Sequence, residues 1–318
     1  MMNDVISIGD AMITLNPTIN GPMRYVTTFE RTVGSSELNV LIGCSRLGLK
    51  SGWMSRLGKD EFGRYIYNFV RGEGVDVSEV ELVEDYKTSI NFREVLEDGS
   101  GRTFYYRDNS PTSVMTLENL NEEYIKNARV LHISGVFVSL DKEKNIKIVQ
   151  RAIKIAKENN VLVTFDPNIR LRIWTKEEAK NTLLKFLPDV DVLLSGVDEA
   201  EILFGTKDKQ QIIKAAKDIG IPWIILKQGE DGSCGYHDGN FVEVEAVKVK
   251  KVVDTVGAGD GFNVGFIYGL LNDWDLKKSL QFANLVGSMV VSVSGDNEGL
   301  PYLDEVLMRN GEKEFIER

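Results

Sequence analysis

Cysteine and histidine are the residues that this sequence has least of. Cys44 and Cys234 are its only cysteines, 190 positions apart, and its two histidines stand alone in the sequence. Two cysteines are too few for a disulfide framework or a cysteine zinc site, and no metal-ligand spacing surrounds the histidines. Such sparse use of cysteine is typical of a reducing compartment, so we expect a cytoplasmic protein.

A basic excess, long apolar runs and proline are also lacking. The 318 residues carry 38 Lys and Arg against 48 Asp and Glu, a formal charge of −10, which argues against nucleic-acid binding. The apolar runs fall short of the ~20 residues that a membrane-spanning helix needs, and no basic segment precedes the first of them. We therefore expect neither a membrane span nor a secretory signal. With seven prolines and no low-complexity tract, a long disordered linker is not expected either.

Predicted strands and helices alternate along most of the chain. Short β-rich runs such as 130–135 and 161–166 alternate with amphipathic segments such as 144–160. This order predicts βαβ units and a mostly parallel sheet with helices on both faces. The segments 10–30 and 88–109 break the alternation, and we expect them to form a small β-sheet lid. At ~150 residues per domain the length suggests two domains. A single large α/β domain could also contain the whole chain around one core.

The strongest chemical signal is the run DTVGAGDGF at 254–262, which opens an apolar helix. Glycines let the backbone approach a ligand, and the first turn of a helix leaves N–H groups unpaired and partly positive. Gly257, Ala258 and Gly259 therefore predict a cradle for phosphate. Asp260 beside it would be a base for a hydroxyl proton. The run would also suit an ordinary helix start, and it matches neither Walker A nor GxGxxG.

Two further motifs follow predicted strands in the second half of the chain. DPNIR at 166–170 follows the strand VLVTF, and KQGEDG at 227–232 follows PWIIL. Ligands of an open parallel sheet bind beyond the carboxyl ends of its strands, where Arg170 would project into the crevice. Each motif alone could be an ordinary turn. Together with the 254–262 run they predict one shared site.

Two motifs in the first half of the chain suit a sugar. GSSELN at 34–39 begins a helix, where a serine could simply cap it, or Gly34 and Asn39 could bind sugar hydroxyls. Tyr105 and Arg107 share one face of a strand because alternate side chains point the same way. An aromatic ring with a guanidinium suits a sugar that carries a carboxylate, although a solvated surface arginine is the plainer interpretation.

Together these motifs resemble the ribokinase-like carbohydrate kinases, the PfkB family, over nearly the whole chain. The resemblance implies a three-layer α/β/α sandwich, one kinase domain over 1–318, with a lid subdomain from about 10–30 and 88–109. It implies phosphorylation of a small-molecule sugar or sugar acid with ATP and Mg²⁺. It also implies a homo-oligomer formed through the lid, which would cover exposed apolar side chains such as Ile90, Phe92 and Phe104.

Within that family the sequence is most similar to the 2-keto-3-deoxygluconate kinases. The shared details are FYYR at 104–107, DPNIR at 166–170 and GDNEGLP at 295–301. Two arginines in the sugar site favour a sugar acid, so the leading hypothesis is phosphorylation of 2-keto-3-deoxygluconate to its 6-phosphate. The same chemistry on fructose or 5-dehydro-2-deoxygluconate stays open. So does a non-catalytic regulator that binds sugar or nucleotide.

The resemblance also implies a role for individual residues. Asp260 is the implied base, and Gly257, Ala258 and Gly259 form the implied anion hole. The implied substrate-binding residues are Gly34, Asn39, Tyr105, Arg107, Arg170, Asp260 and Asp296. The implied ATP-binding residues are Asn168, Lys227, Gly229, Gly232, Gly257, Gly259 and Asn284. Glu199 is the implied metal residue, reaching Mg²⁺ through water.

The chain departs from the family's pattern at three positions. Ser35 stands where a second glycine is common, and Asn91 stands where some of these kinases have a lid tyrosine. Gly196 replaces the asparagine of the NxxE segment that ends at Glu199. A dinucleotide-dependent oxidoreductase is disfavoured, because GDAM at 9–12 lacks the glycine fingerprint expected after the first strand.

Overall fold

The structure is a computed structural model that describes residues 2–98 and 100–314. Its strands are β1 (Asn3–Ile8), β2 (Met12–Pro17), β3 (Phe29–Gly34), β4 (Ser51–Gly58), β5 (Asp76–Val83), β6 (Ser89–Val95), β7 (Gly101–Tyr106), β8 (Ala128–Ser134), β9 (Leu162–Asp166), β10 (Val192–Gly196), β11 (Trp223–Lys227), β12 (Ser233–His237) and β13 (Asn240–Val244). Its helices are α1 (Ser36–Arg46), α2 (Glu61–Gly72), α3 (Glu122–Lys126), α4 (Gly135–Leu140), α5 (Lys144–Glu158), α6 (Lys176–Leu183), α7 (Val197–Phe204), α8 (Lys209–Ile219), α9 (Ala258–Leu271), α10 (Leu276–Val290) and α11 (Leu303–Arg309).

Most of the strands form one large sheet in the order β13-β12-β11-β10-β9-β8-β1-β4-β5. Its neighbours run parallel from β11 to β5, whereas β12 is antiparallel to both β11 and β13. The mostly parallel sheet predicted from the alternation is therefore confirmed. No helix in the described part of the chain is long and apolar enough to cross a membrane.

Successive residues of the central strands enter two different apolar cores. Ile6 and Ile8 of β1 pack into a core with α5, α6 and α8, whereas Val5 packs into another with α1, α9 and α10. In β8, Leu131 belongs to the first core and Val130 to the second. Alternate side chains of a strand face opposite sides, so helices cover both faces of the sheet. The predicted three-layer α/β/α architecture is confirmed.

A second, smaller sheet has the order β3-β2-β6-β7. The pairs β2–β3 and β6–β7 are antiparallel, and the central pair β2–β6 is parallel. The lid segment expected at 88–109 contains the antiparallel pair β6–β7. Gly99, which lies between these two strands in the sequence, is outside the described residues. β3 runs past the expected end at residue 30 to Gly34, which brings that glycine to the base of the sheet.

The apolar side chains of the small sheet largely cover one another. Ile90, Phe92 and Phe104 are half-buried, contrary to the expectation that they are exposed. The Phe92 ring meets the Phe29 ring edge-on at 5.3 Å and the Tyr106 ring at 5.7 Å. A second lid was expected because these side chains would otherwise be exposed. Since they are already partly covered within one chain, this reason no longer applies. The large side chains that do stay exposed on and beside this sheet are Ile19, Tyr25, Tyr105 and Tyr106.

Candidate active site

The carboxyl ends of the central parallel strands bring the predicted motifs into one region. Asp166 ends β9, Gly196 ends β10 and Lys227 ends β11. The strand register places Gly196 opposite Lys227, and Lys227 Nζ lies 2.8 Å from Asp166 Oδ2. Asp260, in the first turn of α9, is near enough to Asp166 for the two carboxyls to interact. The three motifs of the second half therefore share one site.

Asp260 is a buried carboxylate held by two side-chain donors. Ser36 Oγ donates to Oδ1 and Asn39 Nδ2 donates to Oδ2, each at 2.8 Å. Burial raises the pKa of Asp260 to about 6, with the hydrogen bond from Asn39 opposing the rise and the charge of Asp166 adding to it. A carboxylate with such a pKa is ionised at neutral pH yet more basic than a solvated one, as a general base requires.

Residues 257–260, here called the anion turn, connect the preceding loop to α9. Gly257 is the N-cap residue with a left-handed φ of 75°, and a Cβ on it would lie 2.2 Å from the Asp296 carbonyl oxygen. Only glycine fits such a position. Among residues 2–98 and 100–314, the N–H groups of Gly259 and Asp260 find no acceptor. Free N–H groups at a helix start are a binding site for phosphate.

Lys227 lies beneath the anion turn. A Cβ on Gly259 would be 3.7 Å from Lys227 Nζ, which donates to Asp166 Oδ2 at 2.8 Å and to Asn263 Oδ1 at 3.3 Å. Burial alone would lower the pKa of Lys227, but the carboxylates of Asp166 and Glu199 outweigh it and hold the pKa above its ordinary value. The ammonium therefore stays charged and adds positive potential under the turn. Lys227 is thus associated with the anion turn rather than with the 229–232 turn that follows it in the sequence.

Asn168, predicted to bind ATP, is hydrogen-bonded to Ser36, which in turn holds Asp260. Its backbone is left-handed, with φ 38°, and its N–H donates to Asp166 Oδ1 at 3.1 Å. Its side-chain Nδ2 donates to Ser36 Oγ at 2.6 Å, and Ser36 donates in turn to Asp260. Asn168 therefore orients the hydroxyl that holds the base.

Two further predicted ATP residues, Gly232 and Asn284, lie where the chain leaves β13. A Cβ on Gly232 would lie 2.2 Å from the Val244 carbonyl oxygen, whereas Gly229 faces open space. Asn284 Nδ2 donates to the carbonyls of Val244 at 3.3 Å and Glu245 at 3.1 Å. The Asn284 amide thus holds the segment that leads on to the anion turn.

Glu199, the predicted metal residue, uses both carboxylate oxygens in backbone hydrogen bonds. Ile169 N donates to one oxygen and Gly196 N to the other, each at 2.9 Å. Burial raises the pKa of Glu199, the charge of Asp166 raises it further, and Lys227 opposes the rise. The described residues contain no group of three or more His, Cys, Asp or Glu that could hold a metal ion. Glu199 can contribute through a water on a remaining lone pair.

Gly34, Thr14 and Asp296 form a polar corner beneath the small sheet. A Cβ on Gly34 would lie 2.5 Å from both Thr14 Oγ1 and Asp296 Oδ2. Burial raises the pKa of Asp296 to about 7, with the charge of Arg93 opposing the rise. Asp296 is half-buried, and among the residues that the structure describes no donor reaches its carboxyl. A sugar hydroxyl would supply the missing donor.

Asn91 extends this polar corner along β6. Its Nδ2 donates to Thr14 Oγ1 at 3.0 Å, and its buried Oδ1 has no partner within the described parts of the chain. The residue opposite it on β7 is Tyr105, which is 47% exposed. The residue that replaces the expected lid tyrosine therefore offers an acceptor at the same corner.

The two predicted sugar-site arginines differ in their surroundings. Arg107 Nη2 pairs with Asp10 Oδ2 at 2.7 Å, and Asp10 also accepts hydrogen bonds from Ser110 and Thr112. Arg107 is therefore already neutralised by Asp10, and its contact with the sugar stays a prediction. Arg170 is exposed and lowers the pKa of Asp260 by its charge. Within residues 2–98 and 100–314 it forms no ion pair.

Sequence reasoning gave no functional role to several residues of the site. Among them are Asp10, Thr14, Ser36, Arg93 and Asn263. Asn263 lies one helical turn after Asp260, so helical periodicity could have pointed to it. Arg93 pairs with Asp254, 161 positions away, and no local pattern predicts such a contact.

Residues 2–303 match the pfkB family carbohydrate kinases. The chain belongs to this family. It is 31% identical over 303 residues to the 2-dehydro-3-deoxygluconokinase of Bacillus subtilis (strain 168), covering 95% of this chain and 93% of the relative. It is 34% identical over 304 residues to that of Thermoproteus tenax, covering 94% and 92%. It is 27% identical over 323 residues to a 5-dehydro-2-deoxygluconokinase of Clostridium perfringens, covering 99% and 93%.

Two solved structures share the architecture of this sugar kinase. The 2-dehydro-3-deoxygluconokinase of Thermotoga maritima superposes with a TM-score of 0.85 at 25% identity, covering 96% of this chain and 97% of the other. A putative ribokinase II from E. coli, solved with ATP and Mg²⁺, superposes with a TM-score of 0.90 at 24% identity, covering 98% and 100%. The ribokinase-like fold expected from the sequence is confirmed. The protein is a carbohydrate kinase, an enzyme that transfers phosphate to a sugar hydroxyl.

Proposed function

We propose that this kinase uses ATP to phosphorylate 2-keto-3-deoxygluconate at its terminal hydroxyl, with Asp260 as the base. The observation that carries the proposal is the position of Asp260 at the start of α9. There a buried carboxylate of raised pKa adjoins N–H groups that have no acceptor among the described residues. A proton acceptor and an anion site at one helix start are what phosphoryl transfer to a hydroxyl requires.

Each chain residue then has a definable part in the transfer. The Asp260 carboxylate takes the proton as the substrate hydroxyl oxygen bonds to the γ-phosphorus, and the bond from phosphorus to the ADP oxygen breaks. The N–H groups of the anion turn donate to the oxygens of the transferring group, where charge develops. Lys227 adds positive potential from beneath. Ser36 and Asn39 hold the base, so the carboxylate is oriented before the substrate arrives.

ATP and Mg²⁺ fit the residues that are present. The free N–H groups at the start of α9 and the missing side chain at Gly259 leave room for phosphate against the backbone. When bound, Mg²⁺ would neutralise charge on the phosphate oxygens. Since Mg²⁺ keeps several waters and takes phosphate oxygens as ligands, Glu199 acting through a water is sufficient protein support.

The substrate is proposed from charge. Arg107 is neutralised by Asp10, whereas Arg170 is an exposed cation beside the base, with no ion-pair partner in the described chain. A substrate carboxylate or the adjacent keto oxygen would complement it by a charge-assisted hydrogen bond. Asp296 and Asn91 would take hydroxyl donors. Fructose would leave Arg170 without a counter-charge. By contrast, 5-dehydro-2-deoxygluconate is also a sugar acid and is the competing candidate.

An ADP-release assay over four sugars tests the proposal. The panel is 2-keto-3-deoxygluconate, 2-keto-3-deoxygalactonate, 5-dehydro-2-deoxygluconate and fructose, each with ATP and Mg²⁺. We expect kcat/KM for 2-keto-3-deoxygluconate to exceed that for 5-dehydro-2-deoxygluconate and fructose by at least about tenfold. A preference for either of those two would overturn the substrate assignment. The epimer is included because one hydroxyl direction separates it from the proposed substrate.

Two expectations about the protein's setting go with this function. We expect a cytoplasmic enzyme, in keeping with a reducing compartment for its two buried, unpaired cysteines. We also expect a homo-oligomer through the small sheet, now on account of its exposed Tyr105 and Tyr106 rather than Phe92 and Phe104. Light scattering at micromolar concentration tests the second expectation, and a monomer would count against it.

A further inference from the structure

An ion pair joins the small sheet to the segment that leads into the anion turn. Arg93, on β6, places Nη1 2.9 Å from Asp254 Oδ2. The two side chains are 20% and 12% exposed, so the pair is largely shielded from water. Shielded pairs of this kind are strongly sensitive to loss of one partner, unlike exposed surface pairs.

Asp254 uses its other oxygen to shape the anion turn. Oδ1 accepts a hydrogen bond from Val256 N at 3.1 Å, which closes a small turn directly before Gly257. On the other side, Val253 N donates to the Val291 carbonyl at 2.8 Å, where α10 ends. The Asp254 carboxylate therefore fixes the path of the backbone between the Val253–Val291 hydrogen bond and the anion turn. Arg93 is the cation that holds this carboxylate.

Other side chains also tie the small sheet to the body of the molecule. Among these contacts are Arg107 to Asp10, Arg172 to the Thr103 carbonyl, and Asn297 to the Val33 carbonyl. The first two end away from residues 254–260, whereas Asn297 follows Asp296, whose carbonyl lies against Gly257. Arg93 thus differs from these links because its partner belongs to the run that forms the anion turn.

We propose that Arg93 is a positioning residue which, through Asp254, sets the anion turn when the small sheet is seated on the body of the kinase. The inference rests on the proposed phosphoryl transfer. Its consequence is that the position of the small sheet, which covers the sugar, is coupled to the N–H groups that receive the phosphoryl group. Arg93 would then affect the transition state more than the binding of either substrate.

Four variants test this inference: Arg93→Met, Arg93→Lys, Asp254→Asn and the double variant Arg93→Met/Asp254→Asn. The matched control is Arg102→Met, because Arg102 lies on β7 of the same sheet and its partner, Glu94, is in that sheet too. We expect Arg93→Met to lower kcat roughly ten- to hundredfold, the usual effect of losing a shielded charge-assisted bond. KM for ATP and for the sugar acid should stay within about threefold.

The companion variants sharpen the result. Arg93→Lys keeps the charge and should recover part of kcat. The double variant should be no worse than the poorer single variant, because the two residues act as one unit. Arg102→Met should match wild type. Equal losses in Arg93→Met and Arg102→Met, or a raised sugar KM at unchanged kcat, would overturn the inference. The second result would mean that Arg93 serves the Asp296 corner.

Hydrogen–deuterium exchange without substrates gives a readout that is independent of the reaction. Amides of residues 255–262 should exchange faster in Arg93→Met than in Arg102→Met, and equal rates would overturn the inference. If the wild-type enzyme released ADP with none of the four sugars, the proposed function would fall. The exchange rates would still decide whether Arg93 positions the anion turn.

Discussion

Asn39 Nδ2 donates to Asp260 Oδ2 at 2.8 Å, although the two residues are 221 positions apart in the chain. The bond connects the start of α1 with the start of α9, two helices that pack on the same face of the large sheet. Ser36, one turn away on α1, holds the other carboxylate oxygen. The carboxylate that we propose as the base is thus oriented by a helix from the opposite end of the chain.

Replacing Asp260 with Asn keeps the shape of the side chain and removes the base. We expect kcat to fall by at least ~10²-fold, the usual contribution of a positioned general base, with little change in ATP affinity. Turnover close to wild type would show that Asp260 is not the base. Isothermal titration with ATP controls for a loss of nucleotide binding.

The same variant should be more stable than wild type at neutral pH. The folded chain raises the pKa of Asp260 from 3.8 to about 6, so its ionised form is disfavoured by folding. The folded state therefore binds the proton more tightly, and its stability falls as pH rises from about 4 through 6. Asp260→Asn should gain up to about 3 kcal/mol in urea unfolding at pH 7.5. The gain should shrink toward pH 4, and a destabilised variant would contradict the expectation.

The pH dependence of activity should report the same carboxyl. Because the base must be ionised, kcat/KM should rise with pH through about 6 and level off above it. Asp296, with a pKa of about 7, could also produce such a limb. Asp296→Asn separates the two, since it should lower kcat/KM but leave the limb near 6. A limb that disappears in this variant would assign the titration to Asp296.

Local sequence patterns predicted most of the fold. The apolar helix expected to open in the 254–262 run is α9, and the β-rich runs at 130–135 and 161–166 are β8 and β9, with ends that differ from the expected ones by at most two residues. The edge strand β5 (Asp76–Val83) was not predicted. Its side chains are mostly half-buried or exposed, so its composition resembles that of a surface loop. Apolar residues recur at regular spacing only in strands and helices that have one buried face.

The site was predicted less completely than the fold, because side-chain pairing depends on contacts between distant segments. The GAGD run and the strand-end rule located Asp260, Lys227 and Arg170 in one region. They could not indicate that Arg107 is neutralised by Asp10, 97 positions away, or that Asn168 supports the base. A local motif predicts which residues approach the ligand region. The residue that each of them pairs with depends on how the two sheets pack against each other, and a local motif does not show this.

A methyl group at Gly257 should disrupt the anion turn. Gly257→Ala combines a left-handed φ of 75° with a Cβ that would lie 2.2 Å from the Asp296 carbonyl. Gly205→Ala is the matched control, because Gly205 has φ 79° at the end of α7 and open space around it. We expect Gly257→Ala to lower kcat about 10²- to 10³-fold, as loss of anion-hole donors does. It should also raise the sugar KM, since Asp296 must move. If Gly205→Ala lowered kcat as much as Gly257→Ala, the loss would come from backbone strain and not from the contact with Asp296.

The charge of Lys227 should support both stability and catalysis. Lys227→Met leaves the buried Asp166 carboxylate without its cation, so we expect a loss of about 3–5 kcal/mol in the free energy of unfolding. In Lys227→Met/Asp166→Asn the unpaired charge at residue 166 is also removed, and part of the stability should return. Turnover should stay low in both variants because the positive potential under the anion turn is gone. A double variant with restored turnover would limit Lys227 to a structural role.

Arg170 should decide how strongly the enzyme holds a sugar acid. Arg170→Met removes the exposed cation beside Asp260, and the loss of one charge-assisted hydrogen bond should raise KM for 2-keto-3-deoxygluconate roughly ten- to hundredfold. KM for ATP should hardly change, because the anion turn and Lys227 hold the phosphates. Fructose is the control substrate, since it carries no carboxylate and its KM should respond little. If the variant lost ATP affinity instead, Arg170 would belong to the phosphate site, and the charge argument for a sugar acid would no longer hold.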